Sequence, residues 1–137
     1  MKRKTIKSML ASALLVVAAC GAALAAAGTL HTVDVKQGAA LQNSGALLLD
    51  VRETDEYAEA HAPGSTLIPL GQLQQRLPEI ARYKNQPVVL ICRSGRRSEQ
   101  AQKLLEKAGF SATVNVEGGM ISWQKAGLPV VSGPASR

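Results

Sequence analysis

The chain has 137 residues, enough for one domain, with 16 Lys and Arg against 10 Asp and Glu and a net charge of +6. Four of the bases, Lys2, Arg3, Lys4 and Lys7, lie in the first seven residues, and residues 1–27 hold no acid. The rest of the chain is therefore nearly neutral, with no basic stripe rich in aromatics, which excludes nucleic acid as the expected partner. At 46% hydrophobic with only Tyr57, Tyr83, Phe110 and Trp123 as aromatics, the core must be mostly aliphatic, and 19% charged residues are too few for a disordered chain. Two cysteines, Cys20 and Cys92, can build neither a disulfide framework nor a four-cysteine zinc site. His31 and His61 have no further ligand at metal spacing, so no metal is expected.

The first segment reads as an address. Met1–Lys7 is basic, Met9–Ala19 is an apolar run, and Ala23-Leu24-Ala25 is a small-x-small cleavage signal. Together they predict a secretory signal peptide over residues 1–25, a mature start at Ala26 and a periplasmic location. Two alternatives remain open. Val17-Ala18-Ala19-Cys20 also has the form of a lipobox, in which Cys20 would carry a lipid and tether the domain to the membrane. Met9–Ala27 could instead stay uncleaved as an anchor, being just long enough to span a bilayer. All three put the domain on the far side of the inner membrane. With the leader removed, Cys92 has no intramolecular partner, and a lone thiol in an oxidising compartment is a liability unless it is buried or used.

Residues 29–131 read as the domain and 132–137 as a tail. Leu30–Val33 is a short strand candidate, and Val35–Gln42 a helix weakened by Gly38. Ala46–Val51 is a near-continuous apolar run, the signature of a strand buried on both faces. Thr54 is expected to cap a helix over Asp55–Ala60, which Ala62-Pro63-Gly64-Ser65 breaks. Thr66–Ile68 is a strand, followed by short helices at Leu70–Gln75 and Pro78–Arg82. Pro87–Ile91 is the second strongly buried strand. Arg93–Arg97 reads as a polar loop and Ser98–Ala108 as a helix, its inward face Ala101, Leu104, Leu105 and Ala108, with Gly109 its stop. Ser111–Val116 is a last strand and Gly119–Lys125 a last helix. Alternating strands and helices predict an α/β domain with a mainly parallel sheet.

The chemistry concentrates in Cys92-Arg93-Ser94-Gly95-Arg96-Arg97-Ser98. A buried strand delivers Cys92 to its C-terminal end, where α/β folds place their sites. A short loop curling around the sulfur can turn successive N–H groups inward as an anion nest, and the following helix adds its positive end. Arg93, Arg96 and Arg97 bring three cations, and Gly95 permits the tight path. Each feature favours thiolate over thiol and attracts an anionic substrate. A cysteine ending a buried strand can equally be a small core hydrophobe, but a core cysteine needs no cationic loop.

At these residues the chain resembles the rhodanese family. Leu49-Asp50-Val51-Arg52 with Glu56-Tyr57 looks like its opening signature, His61-Ala62-Pro63-Gly64-Ser65 like its His-Ile-Pro-Gly-Ala segment, Cys92–Arg97 like its six-residue active-site loop, and Gly118-Gly119 through Trp123 to Gly127-Leu128-Pro129 like its closing signature. Ala60, Ala62 and Leu67 depart from the pattern. The resemblance implies a three-layer α/β/α domain with a five-stranded parallel sheet. It implies a thiosulfate sulfurtransferase in which Cys92 takes a sulfane sulfur from thiosulfate or a similar donor, holds it as a persulfide and passes it to cyanide or another thiophilic acceptor. Arg93, Ser94, Gly95, Arg96, Arg97 and Ser98 would bind donor and persulfide, with no metal or organic cofactor, in a monomer. Asp50 and Arg52 read as structural, His61 as a hydrogen-bonded turn residue and Trp123 as packing.

Two other classes fit parts of the loop. A sulfur carrier or partner-docking module would keep the fold and turn over little by itself. A cysteine-dependent phosphatase or arsenate reductase also holds a thiolate in a nest of N–H groups, but its frame needs an arginine six residues after the cysteine, to clamp phosphate bidentately. Position 98 is Ser, and Arg97 falls one residue short.

Overall fold

The computed structural model describes residues 31–136. The leader, the lipobox at Cys20 and the alternative anchor lie outside the described residues. Five parallel strands form one sheet in the order β1-β5-β4-β2-β3. They are β1 (Thr32–Val33), β2 (Leu47–Asp50), β3 (Thr66–Leu67), β4 (Val88–Ile91) and β5 (Thr113–Val116). Helices α1 (Val35–Asn43), α2 (Thr54–Glu59), α3 (Leu70–Leu73), α4 (Arg96–Lys107) and α5 (Gly119–Lys125) connect them, with a 3-10 helix over Leu77–Tyr83 between α3 and β4.

The two apolar runs become the neighbouring central strands, β2 and β4, paired from Leu47 with Val88 to Asp50 with Ile91. Every residue of both is buried. Because strand side chains alternate between faces, the runs feed two cores. Leu47, Leu49, Val88, Leu90 and Cys92 pack on one face with Leu73, Ile80, Ala101 and Leu105 from α3, the 3-10 helix and α4. Leu48, Val89 and Ile91 pack on the other with Val35, Met120 and Trp123 from α1 and α5. Two helical layers therefore sandwich the sheet, the α/β/α architecture implied by the resemblance. Cys92 continues the Val88-Leu90 side of β4, so its sulfur lies on the α4 face.

Local differences from the expected elements have physical causes. Gly38 stands inside α1, where a Cβ would meet Val116 Cγ2 at 3.0 Å, so the bare glycine lets α1 lie close on the sheet. Asp34 caps α1, accepting from Gln37 N while the Gln37 side chain accepts from Asp34 N. Thr54 is the first residue of α2 rather than its cap; Glu53 holds that position, and its N–H donates to the Glu56 carboxylate at 2.9 Å. Helix α4 starts at Arg96, two residues before the expected start, because Gly95 takes the left-handed cap at φ 104°. The polar loop thus shrinks to Arg93–Gly95, and Arg96 and Arg97 belong to the first helical turn.

Candidate active site

Strand β4 ends at Ile91, and Cys92, 1% exposed, opens the turn into α4. Its Sγ accepts hydrogen bonds from Gly95 N at 3.1 Å and from Ser98 Oγ at 3.3 Å. Burial pushes the Cys92 thiol up, but the Ser98 hydroxyl and the backbone N–H groups of Ser98, Gly95 and Ser94 outweigh it, so the thiol titrates below its ordinary range. An α4 of 12 residues adds the positive end of its dipole at the same point.

The loop can aim its amides at the sulfur because its carbonyls are taken up elsewhere. Cys92 O accepts from Met120 N at 2.8 Å and Arg93 O from Ile121 N at 3.1 Å, both in the first turn of α5. That approach requires Gly119, with φ 54°: a Cβ there would sit 2.3 Å from Cys92 O and 2.6 Å from Arg93 C. The Gly118-Gly119 pair of the closing motif is therefore the seat of the active-site loop.

Ser98 is fully buried, and its Oγ lies 2.6 Å from Asn115 Oδ1 as well as near the sulfur. Asn115 Nδ2 donates to Gly95 O at 3.0 Å, tying β5 to the loop. Sequence reasoning missed Asn115. Its signal was a lone amide in an otherwise apolar strand end, Val114-Asn115-Val116, on the pleat facing α4.

The three arginines separate. Arg97 is gripped by Glu56 of α2 through two bonds of 2.7 Å, so it is not the free cation the loop suggested. Glu56 was legible as part of the opening signature but not as a partner of Arg97; here the Arg97 guanidinium, against some burial, holds its carboxyl down at about 2. The same bond raises Arg97 above its ordinary value, helped by the nearby charges of Glu56 and Cys92. Arg93 and Arg96 are exposed, with no ion-pair partner among the described residues. Ser94 is exposed as well. Beside the loop lies a cavity of about 360 Å³, lined by Arg93 with Arg52, Glu56, Glu59, Met120 and Ile121 among others.

The remaining motif residues are structural. Arg52 and Asp50 form a buried pair at 2.8 Å, and Arg52 also donates to the carbonyls of Glu56 and Ala60, fixing α2 against the sheet. His61 Nδ1 donates to Tyr57 O at 2.7 Å and its ring stacks on Tyr57 at 3.7 Å. Trp123 is buried, and its Nε1 donates to Pro129 O at 2.9 Å.

A family model for the rhodanese-like domain matches residues 34–126. The chain is 46% identical over 76 residues to the "Putative sulfur carrier protein YrkF" of Bacillus subtilis, covering 56% of this chain and 40% of that protein, so it spans two fifths of that relative's length. It is 38% identical over 86 residues to a sulfurtransferase of Allochromatium vinosum, covering 63% of this chain and 78% of that one. Among solved structures, a rhodanese-related protein of Thermoplasma volcanium superimposes with TM-score 0.66 at 28% identity, over 74% of this chain and 97% of that one. A thiosulfate sulfurtransferase of Pseudomonas aeruginosa does so with TM-score 0.70 at 28% identity, over 79% of this chain and 21% of that one.

Proposed function

Because the chain belongs to the rhodanese family, a family of sulfurtransferase type, we propose that it moves a sulfane sulfur from a small anionic donor such as thiosulfate to a thiophilic acceptor through a Cys92 persulfide. The observation that carries this reading is the sulfur of Cys92 at the base of a turn, with the Gly95 amide and the Ser98 hydroxyl both directed at it. Such donors stabilise an anionic sulfur, and they serve a persulfide anion as well as a thiolate.

In the first half, the Cys92 thiolate attacks the outer sulfur of thiosulfate. A new S–S bond forms as the donor's S–S bond breaks, and sulfite leaves with the bonding pair. In the second half, cyanide or a thiolate attacks the outer persulfide sulfur, and Cys92 departs as thiolate. Arg93 and Arg96, exposed at the rim, draw the dianion in, while the loop amides and the Ser98 hydroxyl hold the charge on sulfur. No step calls for a metal or an organic cofactor. A phosphatase is less well served, because Arg97, the arginine nearest that frame, is held by Glu56.

The test uses the full chain and its Cys92→Ala variant. Each is mixed with thiosulfate, weighed intact for one added sulfur atom, then given cyanide and assayed for thiocyanate. Uptake that depends on Cys92, followed by thiocyanate, is the expected result; no uptake sinks the thiosulfate reading. Uptake without thiocyanate would favour the second reading, a sulfur carrier that waits for a protein acceptor, which the name of the Bacillus subtilis relative supports. The leader supports a periplasmic setting for either role, as a monomer that is free or tethered by its N-terminus. Recovery of the chain in the cytoplasmic fraction of the host cell would overturn that placement.

A further inference from the structure

Ser98 Oγ carries one proton and has two acceptors in reach, Cys92 Sγ at 3.3 Å and Asn115 Oδ1 at 2.6 Å. It cannot donate to both fully. The amide of Asn115 is not free to turn, because its other end faces the carbonyl oxygen of Gly95, which only accepts. That end must therefore be the NH2 group, and the Asn115 carbonyl oxygen must face Ser98. Asn115 and Ser98 are both buried, so no bulk water competes for the hydroxyl.

We propose that Asn115 is a positioning residue that sets the direction of the Ser98 hydroxyl: the proton rests on the Asn115 carbonyl while Cys92 is a thiol and turns to the sulfur when the sulfur is anionic. In the thiol state the chain of bonds runs from Cys92 S–H to Ser98 Oγ and from Ser98 O–H to Asn115 Oδ1, with every group satisfied. When the thiol proton leaves to solvent, Ser98 keeps its own proton and rotates it onto the thiolate, and the Asn115 oxygen gives up its bond. Asn115 thus stabilises the neutral sulfur and restrains ionisation, opposite to the direction in which the loop amides act. The inference rests on the reading of Cys92 as a sulfur nucleophile, since only an ionising sulfur needs a hydroxyl that can turn.

The charged groups on the elements that meet at the loop are Arg93, Arg96 and Arg97 from the loop and α4, Glu56 from α2, the Asp50–Arg52 pair at the end of β2 and Glu117 just after β5. Ser98 and Asn115 hydrogen-bond to none of them. Substitutions at these two positions therefore leave the formal charges in place.

The experiment follows the rate at which iodoacetamide alkylates Cys92 as a function of pH, in the full chain, with the site read by peptide mass so that Cys20 does not interfere. Asn115→Ala removes the competing acceptor, so the midpoint should move to lower pH and the rate below the midpoint should rise about two- to tenfold, the worth of one ordinary hydrogen bond. Ser98→Ala should move the midpoint up. The double variant should match Ser98→Ala alone, because Asn115 acts only through that hydroxyl. If Asn115 merely braced Gly95, its loss would loosen the nest, raise the midpoint and persist in the double variant; that result, or no shift, overturns the proposal. A second measurement leaves the site untouched and uses the chain with Cys20→Ser, so that Cys92 supplies the S–H band. Below the midpoint that infrared S–H stretch should lie at lower frequency than that of a free thiol, and a free-thiol position overturns the proposal too. Midpoint shifts as expected in a chain that takes up no sulfur would refute the sulfurtransferase reading alone, and sulfur uptake without the shifts would refute the switch alone.

Discussion

Gly119→Ala isolates what the close approach of α5 to the active-site loop is worth. The new methyl would lie 2.3 Å from Cys92 O and 2.6 Å from Arg93 C and O, all backbone atoms that no side-chain rotation can clear. The left-handed φ of 54° costs an alanine about 1–2 kcal/mol, and forcing backbone apart adds about 1–3 kcal/mol. Gly127→Ala is the matched control: its φ is 72°, and a Cβ there meets nothing within 4 Å. It bears the conformational cost alone, and both substitutions narrow the unfolded ensemble equally. Urea unfolding should therefore show Gly119→Ala less stable than Gly127→Ala by about 1–3 kcal/mol, a large share of a domain's usual ~5–15 kcal/mol. Because Met120 N and Ile121 N would no longer hold the loop carbonyls, alkylation of Cys92 at neutral pH should slow in Gly119→Ala and stay native in Gly127→Ala. Equal stability and equal Cys92 reactivity in the two variants would refute the claim that this contact shapes the nest.

Three further outcomes follow from the same geometry. Glu56 is held at about 2 against an ordinary 4.5, so its ion pair with Arg97 contributes fully above pH 4.5 and loses that contribution as pH falls toward 2. With the Glu56 side chain 27% exposed, we expect about 1–2 kcal/mol, and the difference in urea midpoint between wild type and Glu56→Gln should shrink severalfold as pH drops from 7 to 2.5. Asp50→Ala strands the buried Arg52 guanidinium without its partner and should cost about 3–5 kcal/mol in the same assay. Arg93→Gln with Arg96→Gln should raise KM for thiosulfate and flatten its dependence on salt while leaving the midpoint of Cys92 alkylation in place, since both side chains lie in water at the rim; unchanged KM and salt dependence would mean they do not meet the donor.

The fold was legible because its signals are long and redundant. The apolar runs at 46–51 and 87–91 can be little other than central parallel strands, and the amphipathic period from Ala101 to Ala108 fixes α4 against them. Cys92 was legible for the same reason: a nucleophilic residue type at the end of such a strand, ahead of a glycine and a helix. What the sequence hid is tertiary. Glu56 and Arg97 stand 41 residues apart, and nothing local says that the acid of one helix start will bind the base of another. Asn115 is separated from Ser98 by 17 residues, and only the parallel pairing of β4 with β5 brings it beside the loop. Gly38 illustrates the converse: a rule about single helices marks it as a flaw, whereas the fold sets it so close to Val116 that a side chain there would have to displace its neighbour.

The hidden contacts change which effect governs the sulfur. From the sequence, three arginines dominate the loop, and formal charge would be the natural cause of a reactive thiol. In the fold one of them is bound to Glu56 and the other two stand in solvent, where a unit charge at 4 Å is worth only about 1 kcal/mol and salt screens it further. Cys92 is buried, which by itself favours the neutral thiol. The groups that reverse that preference are dipoles at contact distance: the Gly95 amide, the Ser98 hydroxyl and the first amides of α4. The backbone amides are already oriented before any charge develops and only the Ser98 hydroxyl has to turn, so ionisation needs little reorganisation. Their orientation depends in turn on Gly95 and Gly119, which carry no charge, and on Asn115, which carries none either. The arginines are left with what exposed charges do well, raising the local concentration of an anionic donor, while backbone geometry decides what happens to it once it arrives.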